Sequence, residues 1–352
     1  MVITKKESEY VPTDPDFKPL PKFGHFSELD PEYAKLRPVM NTMMEGLWQP
    51  ETSLEDFRKA WLNDTPAPED FPIESRDVLT ETRMIPTRDG TQIEIKLYMA
   101  KNKSPGSAIV IRYHGGGWVV GGHCTEQLEN LMIAAWTNSV VVSVDYRQAP
   151  EHRFPYALND CFDALIWCRD NAASIGADAS KIILNGSSAG GNLASVVALI
   201  ARDERVQGII GQILSFPVTC HPKFFPKEAY EMGSYQQNCN DSIVTAARME
   251  WFWDLYVPEP KDNWRYSPLL AQSLKDLPPV LIMAAGCDIH RDEAIAYAER
   301  LQNEGVDTDL KVYKGMPHCF YMLQTHPKTA DYYKRIVGKV SRNGATLSLG
   351  PS

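Results

Sequence analysis

The 352-residue sequence contains no run of the eighteen or so consecutive apolar residues that a membrane-crossing helix needs. Its 43% hydrophobic and 23% charged residues are those of a soluble globular protein. Positive charge is also short: 36 Lys and Arg stand against 45 Asp and Glu, a net −9. No basic stripe is left to attract nucleic acid or anionic lipid. The seven cysteines are odd in number and form no C-x-x-C pair, which argues against a disulfide framework and a zinc site. They read as reduced thiols. The opening "MVITKKESEYVPTDPDF" has no apolar core of a secretory signal, and the closing "LSLGPS" matches no retention or peroxisomal address. A cytoplasmic location is therefore the expectation. Internal repeats and low-complexity segments are absent. What remains is a chain whose partner is a small, neutral or weakly polar molecule, with no nucleic acid and no membrane; the oligomeric state is left open.

What is present is an alternation. Apolar runs bounded by turn residues recur at 78–86, 91–99, 107–114, 139–146, 181–186, 208–217, 279–286 and 309–315. The first two are joined by Asp89-Gly90 and predict an antiparallel hairpin. Later runs are separated by segments of helical periodicity, such as 155–175, 189–203 and 291–305. The pattern predicts an α/β fold built on a mainly parallel eight-stranded sheet with an antiparallel edge. Two parts stand outside it. Residues 1–75 carry helix signals, with Asp30-Pro31 as cap and first-turn proline. Residues 217–265 form an insertion whose second half is a helix rich in Met249, Trp251, Phe252, Trp253 and Tyr256. Such a stripe is either core or a lid over a pocket, and the two segments could pack on one another.

The chemistry starts at "LNGSSAGGN", residues 184–192. Gly186-Ser187-Ser188-Ala189-Gly190 fits G-x-S-x-G between a strand and a helix, the context that motif needs. The turn strains the central residue and lifts its hydroxyl clear of the sheet, so residues two positions away must be small. Ser188 is then the nucleophile and Ser187 points elsewhere. After the strand "AIVIRY" comes His114-Gly115-Gly116-Gly117-Trp118. Amides near Gly116 and Gly117, with that of Ala189, can converge on an oxyanion. Neither G-x-x-x-x-G-K-[ST] nor a dinucleotide-binding G-x-G-x-x-G turn is matched, so no cofactor and no metal is expected. Asp288 and His318 each follow a strand's carboxyl end, where α/β sheets assemble their sites. The order Ser188, Asp288, His318 is that of an α/β-hydrolase. Asp292 and Glu293 fall inside the next helix, and His25, His152, His221, His290 and His326 are worse placed as the base.

These segments resemble the hormone-sensitive-lipase-like family of α/β-hydrolases. The resemblance rests on "HGGGW" (114–118), "DYRQAPEHRFP" (145–155), "GSSAGG" (186–191), "SPLL" (267–270), "GCDIHRDEA" (286–294) and "GMPHCF" (315–320), and spans roughly 75–340. It implies a helical cap made from residues 1–75 and 217–265 over a core of 76–216 and 266–352. Two positions depart from the family's habit. Ser187 stands where Asp is usual, and His290 where an aliphatic residue is usual. Arg147 and Glu151 are expected to form an internal polar network. More loosely, "FPVTCHPKFFP" is similar to fungal esterases acting on polyketide intermediates. The resulting expectation is a serine carboxylester hydrolase that cleaves short-acyl esters of bulky small-molecule alcohols through an acyl-enzyme at Ser188. Trp118, Met43 and Trp251 are expected to line its pocket. The alternatives are the same triad used for lactone opening, dehydration, acyl transfer or C–C cleavage on a biosynthetic intermediate, or a non-catalytic receptor on this fold.

Overall fold

β-Branched and aromatic runs flanked by glycine, proline and aspartate form one sheet. Residues 7–62 and 68–345 are described by a computed structural model; residues 1–6, 63–67 and 346–352, including the closing "LSLGPS", lie outside the described residues. The strands are β1 (Val78–Pro86), β2 (Gln92–Ala100), β3 (Ser107–Tyr113), β4 (Val140–Asp145), β5 (Ala177–Ser187), β6 (Ile209–Ser215), β7 (Val280–Ala285) and β8 (Thr308–Tyr313). Their order is β1-β2-β4-β3-β5-β6-β7-β8. β1 pairs antiparallel with β2, and β2 antiparallel with β4. Every pair from β4 to β8 is parallel. β3, which lies in the middle of the sheet, is buried along its whole length, as a strand covered on both faces must be.

The helices are α1 (Pro31–Leu47), α2 (Leu54–Trp61), α3 (Gln127–Thr137), α4 (Tyr156–Asp170), α5 (Ala189–Asp203), α6 (Ser234–Gln237), α7 (Ala246–Tyr256), α8 (Arg291–Asn303) and α9 (Pro327–Ala345). α1 starts where the Asp30 carboxylate accepts from the amides of Glu32 and Tyr33, and Pro31 occupies the first turn. α3 packs on α9, and α4 on α5. Among the described residues no helix is long and apolar enough to cross a membrane.

The two segments outside the alternation do pack on one another. Ser8 Oγ donates to Glu250 of α7 at 2.6 Å, and the Tyr10 amide to the same carboxylate at 2.8 Å. Trp48 meets Trp251 and Phe252 edge-on, with ring centroids 5.3 and 5.5 Å apart. The expected Arg147–Glu151 network is different in the structure. Arg147 pairs with Asp160 and Asp89, and Glu151 pairs with Arg58 of α2. Arg58 also donates to the carbonyls of Val119 (2.8 Å) and Ala149 (2.7 Å), so α2 is pinned to the loop after β3.

Candidate active site

Three side chains from the carboxyl ends of β5, β7 and β8 form one hydrogen-bonded line. Ser188 Oγ lies 2.9 Å from His318 Nε2, and His318 Nδ1 lies 2.6 Å from Asp288 Oδ2. All three residues are buried, with Ser188 retaining 7% of its exposure. Ser188 sits between β5 and α5 at φ 54°, ψ −119°, a backbone conformation that residues other than glycine seldom adopt. The glycines around it are there because two backbones touch. A Cβ on Gly186 would lie 2.1 Å from the Gly190 carbonyl oxygen, and one on Gly190 would lie 2.0 Å from that of Tyr113. The Ser188 amide donates to Ser215 at 2.8 Å, which ties the turn to β6.

Ser187 faces the opposite way. It is fully buried, and its hydroxyl donates to Glu126 Oε1. The same carboxylate oxygen accepts the Gly115 amide at 3.0 Å. Beneath it Arg112 of β3 reaches Glu129 at 2.5 Å, Asn185 at 2.6 Å and Glu126 at 3.7 Å, all buried. Burial opposes the Arg112 charge, but Glu129 and Glu126 outweigh it and keep the guanidinium ionised. No sequence signal pointed to this network, because charged residues are expected at the surface.

The glycine loop after β3 turns through two positive-φ glycines, Gly116 at 117° and Gly117 at 58°. His114 is stacked on Tyr146, 4.2 Å between rings, and the Tyr146 hydroxyl donates to the His114 carbonyl at 2.8 Å. Ala189 is the first residue of α5, so its amide has no partner within the helix.

The expected pocket residues are placed differently from one another. Met43 lies on the outer side of α1, 57% exposed. Trp118 is fully buried, stacked on Tyr256 and against Trp253 with ring centroids 4.5 Å away in each case. Trp251 packs on Trp48 and Phe57. The aromatic side chain that reaches the glycine loop is its neighbour Phe252, whose ring atoms would lie 2.3 Å from a Cβ on Gly117. Helical periodicity could not separate these two adjacent rings.

The electrostatics follow from burial and pairing. Burial would raise the Asp288 carboxyl, but His318 and His290 hold it well below the usual carboxylate range. Burial would lower His318, and the Asp288 charge outweighs it and raises the imidazole well above its ordinary value. Asp241, in the chain between α6 and α7, accepts the His318 amide at 3.3 Å. Burial and the Asp288 charge push its carboxyl up to about 7. Among the described residues, Asp288, His290 and His318 bring three potential ligand atoms within 4.8 Å of one another. In the structure both Nδ1 atoms are engaged by the two oxygens of the Asp288 carboxylate. Cys287 and Cys319 flank the site as thiols, and the Cys319 side chain bonds His318 and adds to the rise of its imidazole.

The chain is similar to known proteins of the alpha/beta hydrolase fold. Residues 110–322 match the family model described as the alpha/beta hydrolase fold. The chain is 34% identical over 309 residues to an AB hydrolase superfamily protein of Schizosaccharomyces pombe, covering 84% of this chain and 88% of that one. It is 33% identical to an arylesterase of Saccharolobus solfataricus, covering 76% and 85%. Among solved structures, vibralactone cyclase superimposes with a TM-score of 0.81 at 26% identity, over 91% of this chain and 96% of the other.

Proposed function

Since the chain belongs to the hormone-sensitive-lipase-like family of α/β-hydrolases and is an esterase-type enzyme, we propose that it cleaves small-molecule carboxylic esters through an acyl-enzyme on Ser188. The observation that carries this is the unbroken line Ser188 Oγ, His318 Nε2, His318 Nδ1, Asp288 Oδ2, at 2.9 and 2.6 Å. His318 takes the Ser188 proton as the hydroxyl oxygen adds to the ester carbonyl. Amides of Gly116, Gly117 and Ala189 receive the oxyanion, and His318 returns the proton to the departing alcohol. Water then repeats the sequence on the acyl-enzyme. Asp288 keeps the proton of neutral His318 on Nδ1 and steadies the imidazolium.

The acyl group is short, acetate to hexanoate, and the alcohol is bulky and apolar. In support, Phe252 of α7 lies against Gly117 of the glycine loop with Trp48 packed on it, and Ser188 is mostly covered. An organophosphonate is expected to label Ser188 stoichiometrically, and His318→Ala to slow that labelling sharply. Rapid labelling of the His318 variant would overturn the assignment. A series of aryl esters of rising acyl length beside emulsified triolein tests the substrate class. A peak at twelve carbons or more, or strong activation by the emulsion, would overturn it.

A second reading is favoured by one finding, the similarity to vibralactone cyclase. If the substrate's own hydroxyl rather than water is held over the acyl-enzyme, the same residues close a lactone instead of releasing an acid. Product analysis in water enriched in oxygen-18 separates the two, since hydrolysis incorporates the label into the acid and cyclisation does not.

A further inference from the structure

The Asp288 carboxylate is shared. Oδ2 meets His318 Nδ1 at 2.6 Å, while Oδ1 accepts the backbone amide of His290 at 2.9 Å and lies 3.1 Å from His290 Nδ1. Two imidazoles therefore stand on one acid, their ring centroids 5.3 Å apart. Both are buried. The aliphatic residue usual at position 290 could offer only the backbone amide.

We propose that His290 is a positioning residue: a permanently neutral imidazole whose Nδ1–H fixes Asp288 Oδ1, so that Oδ2 stays on His318. The proposal rests on the reading of Ser188, His318 and Asp288 as the triad. Its geometry fixes the tautomer. Oδ1 can only accept, so the proton lies on His290 Nδ1. His290 Nε2 is buried and has no hydrogen-bond partner among the described residues. A second proton there would bury a charged N–H with no acceptor, which is strongly unfavourable. Burial likewise depresses the imidazole, against the pull of Asp288. The groups facing it are Asp288 on its own loop, His318 from the loop after β8, and the Tyr235 ring of α6 at 6.0 Å. Asp241 and Glu293 lie near Asp288, and burial pushes the carboxyls of both upward, which weakens their influence as anions. Nothing in that surround supplies an acceptor for Nε2.

Two effects on catalysis follow. The carboxylate cannot rotate away from His318, and a carboxylate already bonded on Oδ1 pulls less strongly on the His318 proton, which leaves the base less basic than Asp288 alone would make it.

The test compares His290→Leu with His290→Asn in the full chain, since an asparagine amide nitrogen falls near the place of Nδ1. For aryl ester hydrolysis His290→Leu is expected to lower kcat roughly tenfold at unchanged KM, the order of one lost hydrogen bond to a charged group. It is also expected to move the acid limb of the kcat/KM profile to higher pH. His290→Asn is expected to restore both. Wild-type kinetics in the Leu variant, or equal losses in both variants, would overturn the proposal. So that the answer does not depend on either variant folding, nitrogen-15 imidazole spectra of the wild-type protein read the tautomer directly. Nδ1 protonated and Nε2 bare from pH 5 to 9 is the expected result, and an imidazolium or an Nε2–H tautomer at neutral pH overturns the idea. Failure of the triad reading shows separately, as hydrolysis that survives Ser188→Ala.

Discussion

Ser187 and Ser188 share one glycine-rich turn, and the turn sends their hydroxyls to different destinations. Ser188 Oγ reaches His318, and Ser187 Oγ reaches Glu126. Ser188→Ala is expected to reduce ester turnover by about a millionfold, as for triad serines elsewhere, whereas Ser187→Ala leaves most of it. Initial rates on an aryl acetate measure both. Ser187→Asp, the residue usual in the family, would set a carboxylate against Glu126. It is expected to destabilise by about 3 kcal/mol or more, with Glu126→Gln relieving much of the loss in thermal unfolding. The pH dependence also belongs to this scale. The proposed mechanism needs neutral His318, and Asp288 raises its imidazole above 6.5, so activity is expected to rise with pH through a limb that lies above 6.5. Asp288→Asn leaves burial as the main influence. The limb is then expected below 6.5, on a kcat lowered roughly ten-thousandfold. Asp241 acts on stability instead. Its folded value of about 7 is raised from 3.8, so its protonated form favours the fold below 3.8 and that contribution is lost as pH rises towards and through 7. The change is on the order of 4 kcal/mol, and Asp241→Asn should flatten denaturant-measured stability between pH 4 and 8.

At the scale of elements, the line of chemistry hangs on strand ends, which is why it was legible. The eight strands, and the placing of Ser188, Asp288 and His318 at strand ends where the structure brings them together, follow from alternation, turn residues and chain order. α3 and α9 were less visible. α3 buries Glu129 and Asn130 beside Leu131 and Met132, so its inward face is not a clean apolar stripe. Glu129 and the preceding Glu126 meet Arg112, and the knot joins β3, β5, α3 and α9 through Asn185 and the Tyr332 hydroxyl, 3.0 Å from Glu129. Removing the cation leaves two carboxyls facing one another without it. Arg112→Met is expected to cost roughly 3–5 kcal/mol in a denaturant titration. The partner of Glu151 escaped the sequence reading for a related reason: Arg58 lies 93 positions away in the chain, and no periodicity links the two.

The whole molecule is closed by its first described residues. Ser27 Oγ donates to Gly286 at 3.0 Å, the Asp30 amide to Gly315 at 3.2 Å, and the Gly315 amide to Phe26 at 2.8 Å. Arg291 donates to Ser27 Oγ at 2.6 Å, and Lys328 to Asp30 at 2.7 Å. With the contacts of Ser8 and Tyr10 to Glu250, these bonds sew the segment before α2 to the last third of the chain. That seam has a consequence for synthesis on the ribosome. The segment emerges well before the residues it binds, and Lys328 follows Asp30 by roughly half a minute at about 10 residues per second. Until then Asp30, at the start of the helix that buries Tyr33, lacks its bonds to Gly315 and Lys328. Stalled nascent chains are therefore expected to yield to protease near residue 30 until Lys328 has left the exit tunnel, and to resist it thereafter.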